Sequence, residues 1–151
     1  MKIAIGSDHL ALELKNIICQ FLKEKGVEYR DFGTATQEPV DYPDIAEIVA
    51  EAISRGEFDR GILICGTGIG MAIAANKVRG IRAATCHDVY SAERARKSND
   101  AQIMTMGSQV IGPELAKKLV DAWLSSEFQH GRSAPKVAKI MRIEEKNYAR
   151  G

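Results

Sequence analysis

Short apolar runs alternate along the chain with longer stretches in which apolar residues recur every three or four positions. The first run, Lys2–Gly6, ends in a glycine and predicts a strand. Between residues 10 and 21 the apolar positions follow helical spacing, and Gly26 provides a helix stop after Lys25. The same change of period repeats toward the C-terminus, so the pattern predicts strands and helices in alternation.

The complete pattern predicts five strands, each followed by a helix. The strands are predicted at Lys2–Gly6, Val27–Phe32, Gly61–Cys65, Ile81–Cys86 and Gln102–Met106. The helices are predicted at residues 10–25, Asp44–Arg55, Ile69–Val78, Asp88–Lys97, Pro113–Ser125 and Pro135–Tyr148, with a proline-containing loop at 37–43. This alternation predicts an α/β three-layer sandwich, with a five-stranded parallel sheet and helices on both faces.

The last helix differs from the others because no strand precedes it. It follows Gly131, and we expect it either to pack on its own sheet or to reach a second subunit, since both placements give the same pattern. The runs Ile62–Ile64 and Ile103–Met106 lack polar alternation, as expected of strands buried on both faces. No linker or repeat interrupts the chain, so we predict one domain over residues 1–151.

Composition narrows the classes of function. The 151 residues suit one domain of about 100–200 residues. A formal net charge of +1 gives no global electrostatic reason to expect nucleic acid or a membrane as partner. No apolar run approaches the ~18 residues of a membrane span, and the N-terminal run is too short for a signal peptide. Three cysteines without C-x-x-C spacing indicate reduced thiols, and therefore a cytoplasmic protein.

A cysteine and a glycine-rich loop follow the third predicted strand. Cys65 ends that strand, and Gly66, Gly68 and Gly70 follow it before a helix begins. Backbone N–H groups and the helix dipole can lower the pKa of a thiol placed there. The same N–H groups can bind an oxyanion that forms during proton abstraction. A second interpretation is an inert buried thiol beside a tight turn.

The loop does not match the nucleotide-binding motifs. The dinucleotide pattern G-x-G-x-x-G fails in both registers because its sixth position is Met71 or Ile73. No Gly-Lys-Ser/Thr follows, so the phosphate-loop pattern fails as well. A nucleotide-binding module is therefore the weaker hypothesis.

Other polar residues follow the remaining strands, where ligands bind in open parallel sheets. Asp8 and His9 follow the first strand, although Asp8 could serve only as a helix N-cap. Away from the strand ends, Arg132 and Lys136 fall i, i+4 around Pro135 and could clamp a phosphate, or could form a solvated basic turn. The three histidines lie far apart with no ligand-spaced pair, so we expect no metal site.

Several segments together identify a family. They are Gly6–His9, Val40–Pro43, Gly61–Gly70, Ala74–Lys77, Gly80–Ala83, Ser98–Asp100 and Gly131–Arg132. Over nearly the whole chain they resemble the ribose-5-phosphate isomerase B family, which includes the two-component galactose-6-phosphate isomerases. The resemblance implies a Rossmann-like domain that works as a homodimer or homotetramer with sites shared between subunits. It also implies interconversion of aldose and ketose phosphates through a cis-enediolate, without metal or organic cofactor.

The resemblance assigns the chemical step to the glycine loop. By position, Cys65 is similar to the base that moves a proton between C1 and C2 of the sugar. Thr67 and the N–H groups of Gly66, Gly68 and Gly70 correspond to the groups that hold the enediolate oxygens.

The resemblance also assigns residues to substrate binding. Asp8 and Asn99 correspond to groups that bind or protonate sugar hydroxyls. His9 and Arg132 correspond to phosphate contacts, with Arg132 contributed by the partner subunit. Lys136 takes the place of a second arginine, and Tyr42 is expected to line the pocket.

The chain departs from the family pattern at positions that bear on the substrate. Ser98 replaces a histidine that opens the furanose ring, Gln109 and Lys136 replace arginines, and Ser133 replaces a histidine.

These departures leave several candidate substrates. The default expectation is ribose 5-phosphate, with His87 or water assisting ring opening. A four-carbon sugar phosphate, which cannot close a furanose through its phosphorylated oxygen, would not need the histidine. A hexose 6-phosphate such as allose or galactose 6-phosphate is a third candidate substrate. A protein that binds sugar phosphates without catalysis is also consistent with these departures.

Overall fold

Five parallel strands form one sheet, as the alternating pattern predicts. The computed structural model describes residues 1–150. Its strands are β1 (Lys2–Ser7), β2 (Glu28–Asp31), β3 (Arg60–Cys65), β4 (Ala83–Thr85) and β5 (Ile103–Gly107). They are arranged in the order β2-β1-β3-β5-β4, and every neighbouring pair is parallel. The chain therefore leaves β1 toward one side for β2 and returns to the other side for β3.

Helices cover both faces of this sheet. They are α1 (Leu12–Glu24), which follows a 3-10 turn at His9–Ala11, α2 (Tyr42–Ser54), α3 (Ile69–Ala75), α4 (Val89–Lys97), α5 (Pro113–Leu124) and α6 (Ala134–Tyr148). Residues of α1, α4 and α5 form one core with the sheet, and residues of α2 and α3 form the other. None of the described helices has the length and apolar composition needed to cross a membrane.

The central strand β3 shows why its sequence lacks alternation. Ile62 and Ile64 point into the core under α1, α4 and α5, whereas Leu63 and Cys65 point into the core under α2 and α3. All four side chains are at most 4% exposed. A strand buried on both faces needs apolar residues at every position, so the prediction from the sequence is confirmed.

The start of α2 and the end of α3 differ from the predictions for local reasons. The structure begins α2 at Tyr42, inside the predicted loop, because Asp41 is extended and Pro43 suits the first helical turn. It ends α3 at Ala75 rather than at Val78. There the side chain of Asn76 exchanges two hydrogen bonds with the backbone of Ala83 and closes the turn into β4.

Helix α6 packs against its own chain at the segment that precedes β4. Glu144 accepts hydrogen bonds from the Gly80 N–H, Arg79 pairs with Glu145, and the Tyr148 hydroxyl donates to the Lys77 carbonyl. Only Val137 of this helix is buried. Other apolar side chains of α6 remain exposed, including Ile140 at 43% and Ile143 at 63%.

Candidate active site

The reversal of strand order between β1 and β3 creates the place where a ligand can bind. Parallel strands on either side of such a reversal open a crevice at their carboxyl ends. Ser7 of β1 lies in register with Ile64 of β3, so Asp8 and Cys65 end neighbouring strands at the same edge. This edge is called the carboxyl edge below, and the opposite one the amino edge.

The sulfur of Cys65 lies at the tip of β3 with a backbone donor beside it. The Gly68 N–H donates to Sγ over 3.1 Å, and Cys65 is only 4% exposed. Gly68 has a φ of +77°, and a Cβ there would come within 2.7–2.9 Å of the Met106 backbone. Glycine is therefore required at this position, and the turn that it permits directs an amide at the sulfur.

An open cleft of about 430 Å³ surrounds this cysteine. Its walls are formed by Asp8, Leu10, Tyr42, Cys65, Gly66, Thr67, Ile69, Gly70, Ile73 and Gln109. Six of these residues are sequence predictions for the site. A smaller groove of about 280 Å³ between α1 and the start of α5 shares Leu10 and Gln109 with the cleft. The groove lining contains neither cysteine nor histidine, so the chemistry is concentrated in the larger cleft.

Asp8 is both a helix N-cap and a residue of the cleft. One carboxylate oxygen accepts a hydrogen bond from the Ala11 N–H over 3.2 Å, which caps the short 3-10 turn. Asp8 is also one of the cleft-lining residues, although it is only 4% exposed. Next to it, the Nδ1 atom of His9 accepts a hydrogen bond from the Val40 N–H over 3.1 Å. That bond leaves Nε2 as the ring nitrogen available to a ligand.

Tyr42 lines the cleft beside the glycine loop, and Thr67 lines it from within that loop. The ring of Tyr42 lies directly on Gly70, where a Cβ would overlap it. Thr67 is exposed, and its hydroxyl accepts a hydrogen bond from the Ile69 N–H over 3.3 Å. The Gly68 N–H differs from the expectation, because it is directed at the cysteine sulfur rather than at open space.

A buried lysine supports the backbone in front of Asp8. Lys15, 1% exposed, donates hydrogen bonds to both carboxylate oxygens of Asp31 and to the Thr34 carbonyl. The Thr34 N–H in turn donates to the Ser7 carbonyl over 2.8 Å, and the Ser7 N–H donates to the Gly33 carbonyl over 2.7 Å. Lys15 thus stabilises the segment that holds the end of β1.

The other two thiols lie in different surroundings. Burial in the apolar core raises the pKa of Cys19 to about 11, with a further contribution from Asp31. Burial likewise raises the pKa of Cys86 to about 11. Neither residue lines the cleft. These findings agree with the interpretation of both as inert core residues.

Comparison with known proteins identifies the family. A family model described as Ribose/Galactose Isomerase matches residues 3–140. The chain belongs to this family. It is 60% identical to a Listeria innocua protein named Ribose-5-P isomerase B, over 97% of this chain and 99% of that one. It is 57% identical to a Pectobacterium atrosepticum protein named D-erythrulose-4-phosphate isomerase, over 93% of each chain.

A solved structure extends this relationship to the fold. The Clostridium thermocellum Ribose-5-Phosphate Isomerase B superposes with a TM-score of 0.95 at 56% identity, covering 97% of this chain and 99% of that one. The Rossmann-like sandwich predicted from the sequence is thereby confirmed. Membership of this family makes the chain an aldose–ketose isomerase.

Three residues that the family resemblance assigned to the site lie at the amino edge, away from the cleft of their own chain. Asn99 comes between α4 and the start of β5, and its carbonyl accepts a hydrogen bond from the Arg82 side chain. Arg132 and Lys136 lie at the start of α6, after a segment whose Gln129 N–H donates to the Lys97 carbonyl at the end of α4. Strands of five or six residues separate the two edges by roughly 15–20 Å. One chain therefore does not bring these residues to its own cleft.

Ser98, which replaces the ring-opening histidine of the family pattern, also lies at the amino edge. Its hydroxyl accepts hydrogen bonds from the Nε and Nη2 atoms of Arg94 over 2.9 and 2.6 Å. His87 is not one of the residues that line the cleft, and its Nε2 accepts a hydrogen bond from the Gly107 N–H over 2.9 Å. A role for His87 in ring opening therefore has no support from its position.

The sequence analysis missed the apolar part of the cleft. Leu10, Ile69 and Ile73 line it while being more than half exposed. Ile69 and Ile73 are spaced i, i+4 on α3, which resembles ordinary helical core spacing. Only the fold shows that this face of the helix points outward. In residues 1–150, no group of three or more metal-ligating side chains comes together.

Proposed function

We propose that this protein interconverts ribose 5-phosphate and ribulose 5-phosphate through a cis-enediolate, with Cys65 as the base. The observation that carries the proposal is the placement of the Cys65 sulfur in the cleft, 3.1 Å from the Gly68 nitrogen. The name of the Listeria innocua relative, 60% identical over its length, supports the substrate. We further propose that the protein is cytoplasmic and that residues 1–151 form a single domain.

The proposed chemistry assigns one step to each part of the cleft. The thiolate of Cys65 removes the C2 proton of the open-chain aldose, and the electron pair moves into an enediolate with negative charge on O1. Thr67 and nearby loop N–H groups stabilise that oxygen. The thiol then returns the proton to C1, while a hydroxyl proton passes from O2 to O1, which gives the ketose. Asp8 and Tyr42 orient the sugar within the cleft.

The phosphate end of the site requires a second copy of the chain. The cleft lining contains no lysine or arginine, whereas Arg132 and Lys136 are exposed at the opposite edge of the same molecule. We propose a homodimer in which Asn99, Arg132 and Lys136 of the partner subunit complete each cleft, with His9 of the first subunit. Dimers could pair further without altering this arrangement.

Proton exchange provides the direct test of the function. Ribulose 5-phosphate is incubated with the protein in heavy water, and deuterium at C1 is followed by NMR. We expect exchange together with formation of ribose 5-phosphate, and loss of both with Cys65→Ala. Absence of exchange in the wild-type protein, combined with stabilisation by the sugar phosphate, would favour a non-catalytic binding protein.

The four-carbon candidate is favoured by a separate observation. Ser98 stands where the family pattern has the ring-opening histidine. The Ser98 hydroxyl already accepts two hydrogen bonds from the Arg94 side chain. The relative from Pectobacterium atrosepticum, 57% identical, is named for an acyclic substrate, D-erythrulose 4-phosphate. A protein that binds only acyclic sugars has no use for an imidazole at this position.

A substrate panel separates the two candidates. Specificity constants are compared for ribose 5-phosphate, erythrulose 4-phosphate, and allose and galactose 6-phosphates, with the wild-type protein and with Ser98→His. The acyclic candidate predicts a marked preference for the four-carbon sugar and a gain for ribose 5-phosphate alone in Ser98→His. A wild-type preference for ribose 5-phosphate would exclude it. Activity on the hexose phosphates alone would overturn both candidates.

A further inference from the structure

Two threonine hydroxyls converge on the carbonyl of Gly68, the residue whose N–H is directed at the Cys65 sulfur. We propose that Thr105, supported by Thr85, is a positioning residue that fixes the Gly68 amide against Sγ. The inference rests on the proposed function for its effect on turnover. The geometry itself does not depend on which sugar is the substrate.

A series of hydrogen bonds connects the sheet to the Cys65 sulfur. The Thr105 hydroxyl, on fully buried β5, donates to the Gly68 carbonyl over 2.8 Å. The Thr85 hydroxyl, on neighbouring β4, lies 2.9 Å from that of Thr105 and 3.3 Å from the same carbonyl. Since each hydroxyl carries one proton, the two shorter contacts are both satisfied when Thr85 donates to Thr105 and Thr105 donates to Gly68. Such chains strengthen each bond in a buried site.

These two threonine contacts matter because Gly68 makes few other hydrogen bonds that hold the glycine loop in place. The Gly68 carbonyl also accepts the Ala72 N–H over 3.2 Å, at the start of α3. The close approach to the Met106 backbone limits movement toward β5 but not away from it. The hydrogen bond from Thr105 opposes movement away from β5, because it holds the Gly68 carbonyl against that strand. A small rotation of this residue would turn its N–H away from Sγ, and hydrogen bonds weaken steeply with misalignment.

The proposal predicts a property of the cysteine that can be measured without substrate. Thr105→Val keeps the shape of the side chain and removes the hydroxyl. The rate of Cys65 alkylation by iodoacetamide is measured from pH 5 to 10, with the modified peptide identified by mass spectrometry. We expect alkylation of Cys65 near neutral pH to slow by about 3- to 10-fold, because the amide that donates to the sulfur is turned away. Cys19 and Cys86 do not interfere, because burial raises the pKa of each to about 11.

Three further variants separate positioning from a general loss of stability. Thr105→Ser restores the hydroxyl, so its profile should return to that of the wild type. Ser126→Ala removes another buried hydroxyl, bonded to the Ala122 carbonyl at the end of α5, and should leave the profile unchanged. Thr85→Val removes only the outer hydroxyl and should shift the profile in the same direction by less. It also serves as the test if Thr105→Val does not fold.

Kinetics supply the second readout. With Thr105→Val we expect kcat to fall about 3- to 10-fold, in step with the slower alkylation, while KM stays nearly constant. An unchanged alkylation profile in the valine variants, or a serine variant that behaves like valine, would overturn the proposal. A shifted profile in a protein that isomerises no sugar phosphate would support the positioning role and refute the proposed function.

Discussion

The two edges of the sheet are built in opposite ways. At the carboxyl edge, Asp8 and Cys65 are nearly inaccessible, and backbone hydrogen bonds fix the loops that bear them. At the amino edge, Arg132 and Lys136 are exposed, and neither has a salt-bridge partner within residues 1–150. The cleft residues are thus preorganised within the chain, whereas these two cations at the amino edge have no partner there, although Arg60 and Arg96 at the same edge are buried and paired.

This difference indicates which part of the proposed reaction each edge performs. A base must be held near its target atom before the reaction, which rigid strand ends can do. A phosphate carries its charge into the site and can be bound by cations from another subunit. We therefore expect substitutions at the carboxyl edge to reduce kcat and substitutions at the amino edge to raise KM.

Cys65→Ala should have the largest effect. Removal of a general base typically reduces the rate by about 10²–10⁴-fold, and we expect a loss of kcat in this range. Substrate should still stabilise the variant against heat, because the walls of the cleft remain. The measurement is steady-state turnover combined with a thermal shift at saturating ribose 5-phosphate.

Cys86→Ala is the matched control for this change. It removes a thiol that is equally buried but lies outside the cleft. We expect its turnover to equal that of the wild type even if its unfolding temperature falls. Equal losses of turnover in the two variants would mean that packing, and not a base, explains the result.

The next largest effect tests whether the two edges meet between subunits. Arg132→Ala should raise KM for the sugar phosphate by about 10- to 100-fold, the value of one charged hydrogen bond. If the cleft is shared, a heterodimer of Cys65→Ala and Arg132→Ala contains one site with both original residues. Random mixing of the two variants, assayed well below the wild-type KM where each alone is nearly inactive, should then recover about a quarter of wild-type activity.

The control for complementation is a mixture in which both changes are in the same chain. The double variant Cys65→Ala with Arg132→Ala, mixed with Cys65→Ala, gives no site with both original residues and should stay inactive. If the first mixture recovers no activity although heterodimers form, the amino edge does not complete the partner's cleft. The proposed division, with chemistry at the carboxyl edge and phosphate binding at the amino edge, would then be wrong.

Most of the fold followed from the sequence, and so did the residues of the carboxyl edge. The glycine stops and the change between periods located every strand, because parallel strands buried on both faces are compatible with few other patterns. Asp8 and Cys65 could be predicted to line one cleft because strand ends determine where loops meet. The boundary of α2 was wrong because its first turn depends on the extended Asp41 and on Pro43.

The remainder depended on contacts that sequence spacing does not encode. Lys15 falls among apolar positions of α1, and nothing in its spacing shows that Asp31 and the Thr34 carbonyl surround it. The attachment of α6 to its own chain likewise depends on the distant partners Gly80 and Lys77. Both are long-range contacts, which periodicity cannot specify.

Lys15→Met should reduce stability more than turnover. It leaves the Thr34 carbonyl and the Asp31 carboxylate without their buried donor, and breaking a buried pair costs about 3–5 kcal/mol. Because the Asp31 side chain is 38% exposed, water compensates in part, and we expect the free energy of unfolding to fall by about 2–3 kcal/mol. Urea denaturation measures this value. The exposed pair of Lys117 with Glu114 is the control, where Lys117→Met should cost no more than ~0.5 kcal/mol.

The smallest effect is expected for Glu145→Gln, which weakens an attachment of α6 at the amino edge. Arg79 and Glu145 are more than half exposed, so solvent screens their pairing, and we expect the unfolding midpoint to change by less than about 2 °C at pH 7. The hydrogen bond from Arg79 lowers the pKa of Glu145 below its ordinary value, so the contribution of the pair is present at neutral pH and disappears in acid. Complementation should be unaffected, because Glu144 and Tyr148 still hold the helix. A midpoint loss above about 5 °C would mean that the partner subunit covers this pair in the dimer and removes it from water.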